Sequence, residues 1–161
     1  MIKRSMGRMM GTVAVVTLAL GIAACGDNAF GPDPEDIEFA ASLGIVLDDM
    51  TRTASGLYIR DDVVGEGEPA DIGDQVTVAY TGRLVDGNVF DSNTAFTLTI
   101  GSTRLIEGFT EGVTGMRVGG MRTIVIPADL AYGSDGREGV PGNAVLVFDI
   151  ELISLLRAPG G

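Results

Sequence analysis

The chain has 161 residues, enough for one ordinary domain with a real core and little besides. It contains no histidine, one cysteine and a single lysine, Lys3, so histidine-based triads, Ser-Lys dyads and His/Cys zinc sites lack the residues they need. The formal charge is −11, and removing Lys3, Arg4 and Arg8 from the 11 basic residues leaves 8 against 22 acidic, a net −14 that repels nucleic acid and anionic lipid headgroups.

The first predicted element is a secretory signal over residues 1–24. "MIKRSMGRMM" supplies a basic start, and "GTVAVVTLALGIAAC" is an uncharged apolar run ending in small residues. A membrane-spanning anchor is the competing reading, because the stretch from Met9 to Gly26 approaches the lower length limit for a span. The polar "CGDN" that follows brings no basic stop-transfer flank, which favours the signal. The ending "GIAAC" resembles the lipobox of bacterial lipoproteins, and that resemblance implies cleavage before Cys25 and acylation of its thiol. The alternative is an ordinary signal-peptidase cut that leaves Cys25 a free thiol with no internal disulfide partner. With Gly26 after the cysteine, the expectation is an exported lipoprotein, anchored through Cys25 on the periplasmic face of an outer membrane.

Residues 25–54 read as a lipidated tether and lead-in. "GDNAFGPDPED" is rich in Gly, Pro and Asp and poor in apolar side chains, a linker composition, and its acidic cluster matches no EF-hand spacing. Asp33 before Pro34 predicts a capped short helix over "PEDIEFAASLG". "IVLDDMTRTA" fits a strand or a helix equally.

A domain is expected over residues 55–157, with 158–161 a disordered tail. "GLYIRD" alternates, and "QVTVAYTGRL" alternates with Val76, Val78 and Tyr80 on one face. "VDGN" is a hairpin signal through its Asp-Gly pair. "FTLTI" puts Phe96, Leu98 and Ile100 on one face, and "RTIVIP" turns Ile124 and Ile126 inward. "VLVFDIELI" separates Leu146, Phe148, Ile150 and Leu152 from Asp149 and Glu151. Only "LIEGFTEGV" has helical spacing, with Ile106, Phe109 and Val113 on one side. The predicted class is α+β, a curled antiparallel sheet or half-barrel wrapped around one short helix.

The blocks "VTVAYTGRLVDGNVFDS", "LIEGFTEGVTGMRVGGMRTIVIPADLAYG" and "AVLVFDIEL" closely resemble the FKBP family of peptidyl-prolyl cis/trans isomerases, in the family's order and spacing. The resemblance runs from about Ser55 to Leu156. It implies a pocket lined by Tyr80, Phe90, Asp91, Phe96, Leu105, Ile106, Phe109, Tyr132, Val140 and Phe148. Taken alone, Tyr80, Phe96 and Phe148 are better explained as core, because they sit on strand faces that any barrel would bury. Asp91 is not, since a carboxylate beside an aromatic is a poor core residue and points to a polar task in an apolar cavity.

The implied chemistry accounts for the missing histidine. Rotation about an X-Pro amide is held back by a barrier of roughly 18–20 kcal/mol, and it makes or breaks no covalent bond. A pocket that favours the twisted amide by about 4 kcal/mol speeds it a thousandfold. The resemblance makes Phe109 the floor under the proline ring and Tyr80, Phe90 and Phe148 the walls. It makes the Ile106 N–H and the Tyr132 hydroxyl donors to substrate carbonyls, and Asp91 the group that polarises the amide. It also implies proline-containing polypeptides and macrolides of the rapamycin class as ligands, and neither cofactor nor metal.

Three departures stand out. Phe109 occupies a position that is commonly tryptophan in the family. "DSNTAF", Asp91 to Phe96, reads as a shortened loop without the family's arginine, leaving Asp91 no evident counter-charge. Arg137, in "GSDGREGVPGN", sits where histidine is frequent, and the Gly pattern of that loop lacks the lysine and following helix of a phosphate loop. An active isomerase and a proline-binding or chaperone-like module with low turnover are the two function classes consistent with these residues.

Overall fold

A computed structural model describes residues 31–158. The signal segment, Cys25 and residues 159–161 lie outside the described residues.

The alternating segments form six strands: β1 (Thr51–Arg52), β2 (Tyr58–Val63), β3 (Gln75–Leu84), β4 (Val89–Thr99), β5 (Met121–Ile126) and β6 (Leu146–Leu156). They build one antiparallel sheet in the order β1-β2-β5-β6-β3-β4, with β1 and β4 at its edges. The predicted Asp-Gly hairpin joins β3 to β4: Leu84 N–H donates to the Asn88 carbonyl at 2.9 Å, and Gly87 adopts φ +90°, a region glycine enters without strain. The helix expected in "LIEGFTEGV" is α1 (Glu107–Val113).

The curl of the sheet follows from what its concave side must cover. Val76, Val78, Ile124, Ile126, Phe148, Ile150 and Leu152 turn toward α1 and bury Phe109 and Val113 between them. Burial of each such side chain is worth about 1.5–3 kcal/mol. Two glycines let the helix lie flat on β5. A Cβ on Gly108 would stand 2.3 Å from Ile126 Cγ2, and one on Gly112 would stand 2.6 Å from Ile124 Cδ1. Arg122 of β5 then secures the C-terminal end of the helix, donating to the carbonyls of Gly112 at 2.8 Å and Thr114 at 3.0 Å while its Nε pairs with Asp61 at 2.7 Å.

The convex side is covered as well, and here the lead-in departs from a linker's behaviour. Tyr58, Val125, Val145 and Val147 form a second buried cluster, capped by Ile37, Phe39, Leu43, Ile45, Leu47 and Met50. Polar contacts tie the same segment down: Ala40 N–H donates to the Val85 carbonyl at 2.8 Å, and the Tyr58 hydroxyl donates to Glu35 at 2.7 Å. A boundary at Ser55 therefore divides residues that pack against one another. Asp33 does cap a helical turn, accepting from Glu35 N–H, but the turn is a 3-10 helix of three residues, Pro34–Asp36, rather than a helix reaching Gly44. The ambiguous "IVLDDMTRTA" splits into a 3-10 turn at Leu47–Asp49 and strand β1.

Asp74 anchors the other end of the chain. It is 3% exposed and accepts hydrogen bonds from Ala158 N–H at 2.9 Å, Asp71 N–H at 2.9 Å and Arg157 at 2.7 Å. The backbone donors, Ala158 first, and then Arg157 hold its carboxyl below the usual carboxylate range. A depressed folded-state pKa contributes stability that is full above the unfolded value near 3.9 and disappears as pH falls through the folded value. Asp74→Asn is accordingly expected to lower the melting temperature at pH 7 and to flatten the acid limb of the melting temperature against pH. Equal profiles for the two proteins would contradict that.

Candidate active site

Strand alternation forbids adjacent residues from sharing a face, yet Phe90 and Asp91 both serve the concave side. The register shows how. Gly82 of β3 faces Asp91, while Arg83 faces Val89, so Phe90 is the extra residue of a β-bulge that re-aims the strand. A second shift, between Val78 facing Phe96 and Tyr80 facing Asn93, shows that "DSNTAF" is bulged strand inside β4 rather than a loop. Gly82 leaves the space this needs: a Cβ there would lie 2.7 Å from Phe90 Cζ and 2.8 Å from Phe148 Cε1.

Five rings meet above α1. Tyr80 is central, with ring centroids 5.5 Å from Phe109, 5.8 Å from Phe96 and 6.0 Å from Phe148. Phe148 lies 5.3 Å from Phe109 and 5.5 Å from Phe90, both edge-on. Such pairs add about 0.5–1.5 kcal/mol each beyond area burial and fix the rings relative to one another. Four of them, Tyr80, Phe96, Phe109 and Phe148, line a cavity of about 320 Å³ together with Asp91, Arg104, Leu105, Ile106, Tyr132 and Arg137. A larger concavity of about 630 Å³ lies over Arg60, Asp62, Thr123, Asp149 and Glu151 on the outward side of the strands, where Asp62 is already paired with Arg60 and Asp149 with Arg83.

The carboxylate sits at the rim. Asp91 Oδ2 accepts from the Tyr80 hydroxyl at 3.0 Å and from Arg137 at 3.2 Å, so Arg137 supplies the counter-charge that the sequence left unassigned. With side chains 38% and 40% exposed, this ion pair is worth about 0.2–1 kcal/mol at most. It orients Asp91 more than it stabilises the fold. Burial first, and then the hydrogen bond to Asp91, pushes the Tyr80 hydroxyl from 10.0 up to about 12. The raised value means that its contribution is full below pH 10 and is lost only as pH rises through about 12, so Tyr80 stays a donor throughout the physiological range. Burial likewise raises the Tyr132 hydroxyl, against the lowering effect of Arg137, whose guanidinium lies 4.8 Å above its ring.

Two donors face no partner among the described residues. The Ile106 N–H precedes α1 and donates to no group, while its carbonyl accepts from Phe109 and Thr110. The Tyr132 hydroxyl also makes no hydrogen bond among the described residues, although it lines the cavity. Polar atoms left open beside an apolar cavity are what a ligand carbonyl requires.

Phe90 and Val140 are the two expected pocket residues that do not line the cavity. Phe90 backs Phe148 from behind and lies under Arg137 at 5.7 Å. Val140 is buried in the core, and its backbone exchanges two 2.9 Å hydrogen bonds with Arg137, which fixes the turn that carries the guanidinium. Arg104 lines the cavity without having been singled out from the sequence. The only sequence signal for it was its place directly before Leu105 and Ile106.

Comparison with known proteins places this arrangement. Residues 66–153 match the sequence profile of FKBP-type peptidyl-prolyl cis-trans isomerases. The chain is similar to "FK506-binding protein 3" of Eremothecium gossypii, 45% identical over 114 residues, which is 67% of this chain and 27% of that protein. It thus spans about a quarter of the curated relatives it matches. Its fold is similar to the crystal structure of FkpA from Escherichia coli (TM-score 0.64, 36% identity, 69% of this chain and 53% of that one). It is also similar to a peptidyl-prolyl cis-trans isomerase from Pseudomonas syringae pv. tomato (TM-score 0.63, 33% identity, 68% and 82%). A profile match over more than half of the chain, on a shared curled sheet and helix, makes this protein a member of the FKBP-type peptidyl-prolyl cis-trans isomerase family.

Proposed function

We propose that the chain catalyses cis/trans isomerisation of X-Pro bonds in exported polypeptides without covalent chemistry. The observation that carries this reading is the aromatic cavity with one oriented carboxylate at its rim and, beside it, two donors that have no partner among the described residues. The proline ring enters over Phe109, flanked by Tyr80, Phe96 and Phe148. The N–H of Ile106 and the hydroxyl of Tyr132 hold carbonyls of the substrate chain. Twisting the amide breaks its resonance, and charge shifts from the carbonyl back toward nitrogen. Asp91, kept in place by Tyr80 and Arg137, interacts with the twisted amide better than with the planar one, and only that difference raises the rate. Phe90 and Val140 act from behind, supporting Phe148 and the turn of Arg137.

Relatives of this chain are named for binding FK506. We extend that to macrolides in this cavity, which makes the test specific. The chain from residue 26 onward should accelerate a proline-limited refolding phase, and a rapamycin-class macrolide should abolish the acceleration. Acceleration indifferent to the macrolide would place the activity elsewhere. A proline-binding module with low turnover remains the second reading, favoured by the smaller floor that Phe109 offers.

The location is proposed from the sequence: lipidation at Cys25 tethers the domain to a membrane, facing the periplasm. Cys25→Ser is expected to release the protein into the soluble fraction and to change the mass of the mature N-terminus. Unchanged fractionation and mass would refute acylation.

A further inference from the structure

A second concavity, about 360 Å³, adjoins the aromatic cavity, and the two share Phe96, Arg104 and Leu105. It continues along β4 past Leu98 and Thr99 to Ser102, in the turn beyond the strand. Because β4 is an edge strand, the backbone groups on its outer side have no strand partner, which suits an extended polypeptide lying beside it. Together the two concavities form a trough with room for a proline and the residues that flank it.

The charges in this trough invert those of the chain. Its charged lining is Arg104, Arg137 and Asp91, a net +1 in a protein of formal charge −11. Arg137 is engaged with Asp91. Arg52, Arg60, Arg83, Arg122 and Arg157 also pair with carboxylates, and Arg117 donates to the Gly67 carbonyl. Arg104 alone has no acceptor for its guanidinium among the described residues, although acidic side chains outnumber basic ones two to one in the whole sequence. An unpaired cation at the junction of two connected concavities is placed to meet an anion brought by the ligand.

We infer that the trough is an extended substrate site in which Arg104 selects polypeptides carrying an aspartate or glutamate one or two residues from the isomerising proline. This rests on the isomerase reading above and adds a substrate class to it. The cost of desolvating an exposed arginine is small, so the preference is modest and screened by salt.

The test uses the full chain and proline peptides that carry Glu, Gln or Lys at each of the two positions on either side of the proline. Binding is read by fluorescence anisotropy and isomerisation by exchange NMR. At low salt, Glu should bind about threefold more tightly than its neutral isostere Gln at one or more of these positions, the size an exposed ion pair supports. That ratio should approach one between about 0.01 and 1 M salt, as the Debye length falls from about 30 to 3 Å. Arg104→Gln should remove the preference, and Arg104→Glu should reverse it toward Lys, a reversal that no loss of packing produces. Equal binding of Glu and Gln peptides at all positions, or a preference that survives Arg104→Glu, would overturn the inference. Isomerisation without discrimination refutes the role of Arg104 and leaves the isomerase reading intact. Charge-selective binding without catalysed exchange supports Arg104 and refutes the isomerase reading.

Discussion

Phe109→Ala is expected to destabilise the domain by about 3–5 kcal/mol, the range for deleting a buried phenyl group, out of a total of about 5–15 kcal/mol. The ring is 4% exposed and touches both Tyr80 and Phe148, so its removal opens a void between helix and sheet and also takes away the floor of the cavity. Chemical denaturation reads the first loss, and the affinity for a proline peptide reads the second. Phe109→Leu serves as the companion, since it keeps most of the apolar volume and loses the flat surface. Its stability should fall by less than half as much as that of the alanine variant, while its affinity stays impaired. Wild-type stability and affinity in Phe109→Ala would show that the helix does not carry the floor.

Asp91→Asn is expected to do the reverse: leave the fold and binding nearly intact and lower kcat/KM by about ten- to a hundredfold, since an interaction realised mainly in the transition state is lost from the rate. The rim position supports this separation. Asp91 is 38% exposed and its ion pair is weak, so stability depends little on its charge. Asparagine can still accept from Tyr80. Arg137→Gln frees the carboxylate without neutralising it and should give a smaller fall in kcat/KM of about three- to tenfold. If Asp91 instead grips the loop backbone, Asp91→Asn will lower melting temperature and affinity together. Unchanged kcat/KM in a folded variant would remove it from the mechanism.

The strands and the helix were legible because each has one buried face. Val76, Val78 and Tyr80 in β3, and Ile106, Phe109 and Val113 around α1, give clear periods of two and of three to four residues. Alternation fails where both faces are covered: in β5, Thr123, Ile124, Val125 and Ile126 are all buried, and from the sequence only the two isoleucines could be assigned a side. The cover over Val125, residues 37–50, was hidden for a related reason. Its apolar residues sit on short 3-10 turns and extended backbone with no regular period, behind a stretch whose composition is that of a linker. The ring set could be located by its resemblance, but its electrostatics could not. Arg137 and Asp91 are 46 residues apart, and their pairing depends on a β-bulge at Phe90 and on a turn held by Val140, neither of which local pattern reports.

The measurement that bears most directly on the central claim is exchange NMR of a short X-Pro peptide with the chain present in catalytic amount. The uncatalysed bond interconverts over tens to hundreds of seconds. If the cavity stabilises the twisted amide, cis and trans signals should exchange at a rate proportional to protein concentration, and equimolar macrolide should return that rate to the uncatalysed value. A peptide that binds in the cavity, displaced by the macrolide, while its cis/trans exchange rate stays that of free solution would contradict the account.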